Sequence, residues 1–187
     1  MDVSQRTGLI GYDTHPSLRE TSKCYGINFR ELWYAGEDWF TSSGTPIRAV
    51  ADGKVVCVSP ADYKYPGSVI IIEHQLAGGG KIWSMYGHIQ KNLITVSVET
   101  VVQKGQTISN GLHRQTYRGV NNTHLHWEMR NFYDGSGINK APHYSKSCSG
   151  VPGPGYTYPA HPDNFVANNG EGPTYSWTDP SAFVSSH

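Results

Sequence analysis

The sequence predicts an all-β domain, and three features carry that expectation. Short runs rich in β-branched and aromatic residues recur along the chain, bounded by turn residues. Glycine-rich turns such as Gly78-Gly79-Gly80 separate them. No segment keeps a 3.6-residue apolar period over three turns, so no long amphipathic helix is expected. Short strands with such turns imply antiparallel sheets in a sandwich or barrel-like arrangement with long loops.

Residues 1–33 hold scattered Gly, Pro, Ser and Thr and read as irregular. From Thr45 the texture becomes β. Residues 47–58 form two apolar runs around Asp52-Gly53, a hairpin signal because both residues tolerate positive φ. Residues 68–74, β-branched and flanked by Gly67 and the triple glycine, predict a buried strand. Residues 81–89, 94–98, 101–102 with 106–108, and 123–132 supply the others. Residues 133–178 are dominated by Gly, Pro, Ser, Asn and Tyr and are too long for a plain connection. They read as either a functional lid or wall or a poorly ordered excursion, and their aromatic content favours an ordered loop packed on the barrel.

At 187 residues the chain has the size of one domain. Fifteen basic residues balance fifteen acidic ones, so nothing points to nucleic acid or an anionic membrane. Twelve Tyr and five Trp on a weakly charged chain suit a neutral polymer, although each ring can equally serve the core. No apolar run is long enough to span a membrane. The first residues lack the apolar stretch of a signal peptide, which implies a cytosolic protein or one whose signal has been removed. Cys24, Cys57 and Cys148 fit no zinc-ribbon spacing; one disulfide with a free thiol and three thiols both stay open.

The chemistry is concentrated in three segments. In Thr123-His124-Leu125-His126-Trp127-Glu128-Met129-Arg130 polar and apolar residues alternate. A strand then puts His124, His126, Glu128 and Arg130 on one face, with the two imidazoles about 7 Å apart at the backbone. One can bind a metal while the other reaches a substrate or water oxygen; two histidines on one exposed strand face also arise by chance. In Tyr34-Ala35-Gly36-Glu37-Asp38, positions 34, 36 and 38 point one way, and Gly36 leaves space between two candidate ligands. In Ser84-Met85-Tyr86-Gly87-His88, Tyr86 and His88 alternate to one face. A lone strand histidine is more often structural.

In this order the segments resemble the lysostaphin/LytM family of zinc metallopeptidases. Its pattern runs H-x-G-x-D, G-T-P-I-x-A-x-x-D-G-x-V, V-x-I-x-H, Y-x-H, V-x-x-G-Q-x-I and H-L-H-x-E. The matching stretches are 34–38, 44–55, 69–74, 86–88, 102–108 and 124–128. The resemblance covers about residues 30–132, with Thr178-Asp179-Pro180 similar to the family's end. It implies a single 1–187 domain of duplicated hybrid motif fold that hydrolyses peptide bonds of peptidoglycan stems or cross-bridges. It also implies a monomer acting outside the cytoplasmic membrane, extracellular or periplasmic. Asp38 and His126 would be zinc ligands, and His88 and His124 the paired catalytic imidazoles. His74 matches a non-ligand position and reads as structural; His15, His113, His143, His161 and His187 read as surface residues.

Tyr34 stands where the family has its first histidine ligand. Three readings follow. Tyr34 coordinates zinc as a phenolate, or His15 or Glu37 substitutes, or the protein is a non-catalytic cell-wall binding or regulatory module. A resemblance of the 102–106 turn to sugar-transport phosphocarrier domains is countered by the H-x-H strand and the upstream Gly-x-Asp, which those domains lack.

Overall fold

A computed structural model describes residues 6–7, 11–12, 33–34, 37–59, 66–117, 119–130, 133, 156–157, 165–166, 174–175, 177–178 and 180–186. The strands are β1 (Arg6–Thr7), β2 (Gly11–Tyr12), β3 (Trp33–Tyr34), β4 (Glu37–Phe40), β5 (Ile47–Arg48) and β6 (Gly53–Ser59). Then follow β7 (Ser68–Gln75), β8 (Lys81–Ile89), β9 (Val101–Val102), β10 (Thr107–Ser109), β11 (Thr116–Tyr117) and β12 (Val120–Asn121). The last are β13 (His124–Arg130), β14 (Tyr156–Thr157), β15 (Phe165–Val166), β16 (Thr174–Tyr175) and β17 (Trp177–Thr178), before helix α1 (Pro180–Ser186).

The fold is all-β and its strand pairs are antiparallel, as the sequence predicts. One eight-stranded sheet runs β1-β4-β13-β8-β7-β6-β9, with β17 beside β4 on the same edge of β13. β7 carries the apolar run from Val69 to Ile72, and all its residues from Ser68 to Ile72 are buried. Its two faces feed two clusters. Ile70 and Ile72 join Trp39, Val55, Tyr86, Leu125, Trp127 and Met129, while Val69 and Ile71 join Cys57 and Met85. A sheet buried on both faces gains from removing each such side chain from water, about 1.5–3 kcal/mol apiece.

Three expectations are corrected. Asp52-Gly53 does not close a hairpin, because β5 pairs with β10 and β6 pairs with β7 and β9. Gly53 opens β6 instead; a Cβ there would stand 2.7 Å from the His74 ring and collide with the Glu73 carbonyl. Close approach of neighbouring backbone, not a turn, requires the glycine. Residues 94–98 form no strand; a short 3-10 turn (Lys91–Leu93) precedes them, and Ile94 makes a single bridge to Ser109. Finally, the polar face of β13 is not open, since all seven of its residues are buried.

His74 is structural, as expected. A carbonyl can only accept, so Nδ1–H donates to the Asp52 carbonyl at 2.8 Å and Nε2 accepts from the Ser84 hydroxyl at 2.7 Å. Cys57 is a buried free thiol. Cys24, Cys148, His15, His143, His161, His187 and most of the 133–178 loop lie outside the described residues. His113 is partly buried, and its backbone N–H donates to the His88 carbonyl at 2.7 Å.

Candidate metal and catalytic site

The site forms where β4, β13 and β8 lie side by side. β13 pairs His126 with Asp38 on β4 and with Gly87 on β8. Directly opposite residues on neighbouring strands share a face, so this register brings the Asp38 and His126 side chains together. His126 Nδ1 lies 3.0 Å from Asp38 Oδ1, and His124 Nε2 lies 3.6 Å from Asp38 Oδ2. Two of the expected residues, Asp38 and His126, therefore converge on one point, and His124 faces the same carboxylate.

His88 reaches this group by a route that alternation alone forbids. Tyr86 points into the apolar cluster, where its hydroxyl accepts from the Val50 N–H at 2.9 Å and burial pushes its pKa up to about 12. A simple strand would send His88 the same way. The β7–β8 register instead slips between Ser68/Ile89 and Ile70/Tyr86, and His88 adopts a left-handed φ of 57°. Such a bulge re-aims a side chain. The His88 ring consequently stands 4.6 Å from the His124 ring and 6.3 Å from the His126 ring, centroid to centroid. The expectation that Tyr86 and His88 share a face is thus corrected, while His88 does join the site.

Hydrogen bonds set the state of each imidazole. His88 Nδ1–H donates to the Pro66 carbonyl at 2.7 Å, and His124 Nδ1–H donates to the Asn122 carbonyl at 2.7 Å. In the tautomer each contact selects, the lone pair sits on Nε2. Burial, and the nearby His124, bring the His88 pKa down to about 3, so this ring stays neutral. His126 differs. Burial alone would lower its pKa, but hydrogen bonds to Asp38 and Glu128 overcome that and raise it to about 9. Its Nε2–H donates to Glu128 Oε1 at 2.7 Å, and Arg130 Nε–H donates to the other Glu128 oxygen. Burial would raise the Glu128 pKa, yet Arg130 and His126 bring it down to about 2.

The motif contained Glu128 and Arg130, but sequence reasoning gave them no role. Their spacing at i+2 from His126 was the available signal. Glu37 is excluded as a substitute ligand. It alternates to the other side of β4, where Ser181 N–H, Ser181 Oγ–H and Trp39 Nε1–H donate to its carboxylate at 3.1, 2.7 and 2.9 Å. Tyr34 lies on β3, paired with β2 and β14, and its side chain is outside the described residues.

Residues 33–140, more than half of the chain, match the sequence profile of peptidase family M23. The chain belongs to peptidase family M23. This is the lysostaphin/LytM type that the motifs imply. The catalytic domain of lysostaphin from Staphylococcus simulans is 22% identical, with 70% of this chain and 84% of that one covered and a TM-score of 0.45. A zinc-containing peptidase from Vibrio cholerae is 25% identical over 68% of this chain and 34% of that one, with a TM-score of 0.45. The M23 chain described here thus spans about a third of that protein's length. CbpA from L. salivarius REN is 15% identical, covers 100% of this chain and 87% of its own, and has a TM-score of 0.50, a likeness of fold. No curated protein matches the chain in sequence.

The donor chemistry suits the zinc that an M23 site implies. Imidazole nitrogen and carboxylate oxygen are both zinc ligands, and two donors on a tetrahedral zinc stand about 3.4 Å apart. The 3.0 Å between His126 Nδ1 and Asp38 Oδ1 is close to that spacing. Glu128 behind Nε2 is the carboxylate that commonly orients a ligating histidine. Among the described residues no group of three or more His, Cys, Asp or Glu side chains is arranged to hold an ion.

Proposed function

We propose that this protein is a zinc-dependent endopeptidase that hydrolyses peptide bonds in bacterial peptidoglycan stem peptides or cross-bridges. The observation that carries the reading is the convergence of Asp38 and His126 beside two imidazoles whose Nδ1 atoms are already tied to carbonyls. Asp38, His126 and Tyr34 would hold the ion. When bound, zinc polarises the scissile carbonyl and lowers the pKa of a water to about 7. His88, kept neutral by burial, accepts a proton at Nε2. His124 would steady the tetrahedral oxyanion by donating from Nε2, which requires a proton on that nitrogen as well, because Nδ1–H is held by the Asn122 carbonyl.

The described helix is too short and polar to cross a membrane, and a peptidoglycan substrate places the work outside the cytoplasmic membrane. The proposed unit is a single domain over residues 1–187 that acts as a monomer.

A second reading rests on Tyr34, which replaces imidazole by a phenol of reference pKa about 10. That change favours a non-catalytic cell-wall binding or regulatory module. Release of soluble muropeptides from purified peptidoglycan separates the two. Zinc-dependent release supports the hydrolase; retention on the wall without release supports the module. Tyr34→His is expected to raise zinc occupancy, because neutral imidazole ligates without losing a proton. Equal metal content in both proteins would remove Tyr34 from the ligand set.

A further inference from the structure

We propose that Gly67 is a positioning residue for His88: its missing side chain seats the Pro66 carbonyl on His88 Nδ1 and thereby decides which ring nitrogen faces the site. The inference rests on the proposed role of His88 as proton acceptor.

Four observations meet here. His88 sits at the β-bulge with a left-handed φ of 57°, so local strand geometry does not define its direction. Its ring donates from Nδ1–H to the Pro66 carbonyl at 2.7 Å. Gly67, the next residue, is buried with a φ of 84°. A Cβ at Gly67 would stand 2.9 Å from the His88 carbonyl carbon, 3.0 Å from its Cα and 2.9 Å from His113 Cβ. Two of those three atoms are backbone, and the His88 carbonyl is itself fixed by the His113 N–H at 2.7 Å. The neighbour cannot give way, so a side chain at 67 has to lift the 66–67 segment off His88.

The chemical consequence follows from the donor inventory. A carbonyl accepts only, so its contact keeps the proton on Nδ1 and the lone pair on Nε2, toward His124. Loss of that acceptor removes the ring's preference for Nδ1–H, and a ring with its proton on Nε2 cannot accept one there. Pro at 66 contributes the carbonyl; Gly at 67 contributes its placement.

The test reads the tautomer directly, from long-range proton–nitrogen correlation of histidine-labelled protein prepared without metal. In the wild type the His88 signal is expected to show Nδ1 protonated and Nε2 bare. Gly67→Ala is expected to give a mixed or reversed tautomer. On soluble muropeptides, with zinc content and KM unchanged, its kcat should fall about 100-fold or more, the lower range for loss of a general base. Gly67→Asn separates sterics from backbone strain, because Asn tolerates positive φ; it should show the same shift. A wild-type His88 protonated on Nε2, or variants that keep the wild-type tautomer and kcat, would overturn the proposal. Wild-type protein that releases no muropeptide counts against the hydrolase reading alone, since the tautomer is read without turnover.

Discussion

Leu125, Trp127 and Met129 leave one face of β13 for the apolar cluster, while His124, His126, Glu128 and Arg130 leave the other, and both sets are buried. The apolar face needs only contact, and its energy comes from removing surface from water. The polar face is tolerated in the same low-dielectric interior because Asp38, His126, Glu128 and Arg130 form a continuous chain of charged hydrogen bonds. The lesson is a division of labour along one seven-residue strand. Damage to one face should appear as lost stability, and damage to the other as lost metal or chemistry.

The comparison is sharpened first by His124→Ala. Turnover should fall about 100- to 10,000-fold, as for loss of an acid–base or oxyanion group, with zinc retained. His126→Ala should lose the zinc; identical behaviour of the two variants would erase their separate roles. On the opposite face, Leu125→Ala should cost about 2–5 kcal/mol of stability in denaturant titration while metal content holds. Loss of zinc at unchanged stability would break the contrast. Smaller still, Glu128→Gln should weaken zinc binding about 10- to 100-fold in chelator competition, the usual effect of removing the carboxylate behind a ligating histidine. An unchanged affinity would show that the Glu128–Arg130 pair serves packing only.

The smallest effect concerns His74, as buried as the site histidines but bonded to two neutral groups. Burial pulls its pKa below the ordinary 6.5 despite the Asp52 carbonyl and carboxylate. Below that pH the unfolded chain binds the proton more readily, so stability is intact above it and declines as pH falls. One such group contributes a slope of at most about 1.4 kcal/mol per pH unit. Equilibrium unfolding of wild type and His74→Gln from pH 7.5 to 5 checks it; parallel curves would refute a buried neutral His74.

Much of this was readable beforehand, and the failures have physical causes. Strict alternation in 124–130 announced a strand, because a period of two is a local property, and it gave the correct histidine face. The burial of that face was hidden, since it depends on β4 and β8 pairing from distant sequence. Asp52-Gly53 misled because a glycine required by a close backbone approach looks the same in sequence as one required by a turn. His88 was chosen by the Y-x-H motif, but the bulge that turns it toward His124 is a register slip against β7 and leaves no pattern in 84–88. The Glu37–Ser181 clasp joins residues 144 positions apart, beyond any periodicity.

Zinc content of the purified wild-type and His126→Ala proteins, compared without added metal, tests the central claim most directly. The account predicts about one zinc per wild-type chain and essentially none in the variant, with both chains folded. Zinc absent from the wild type, or present equally in both, would contradict it.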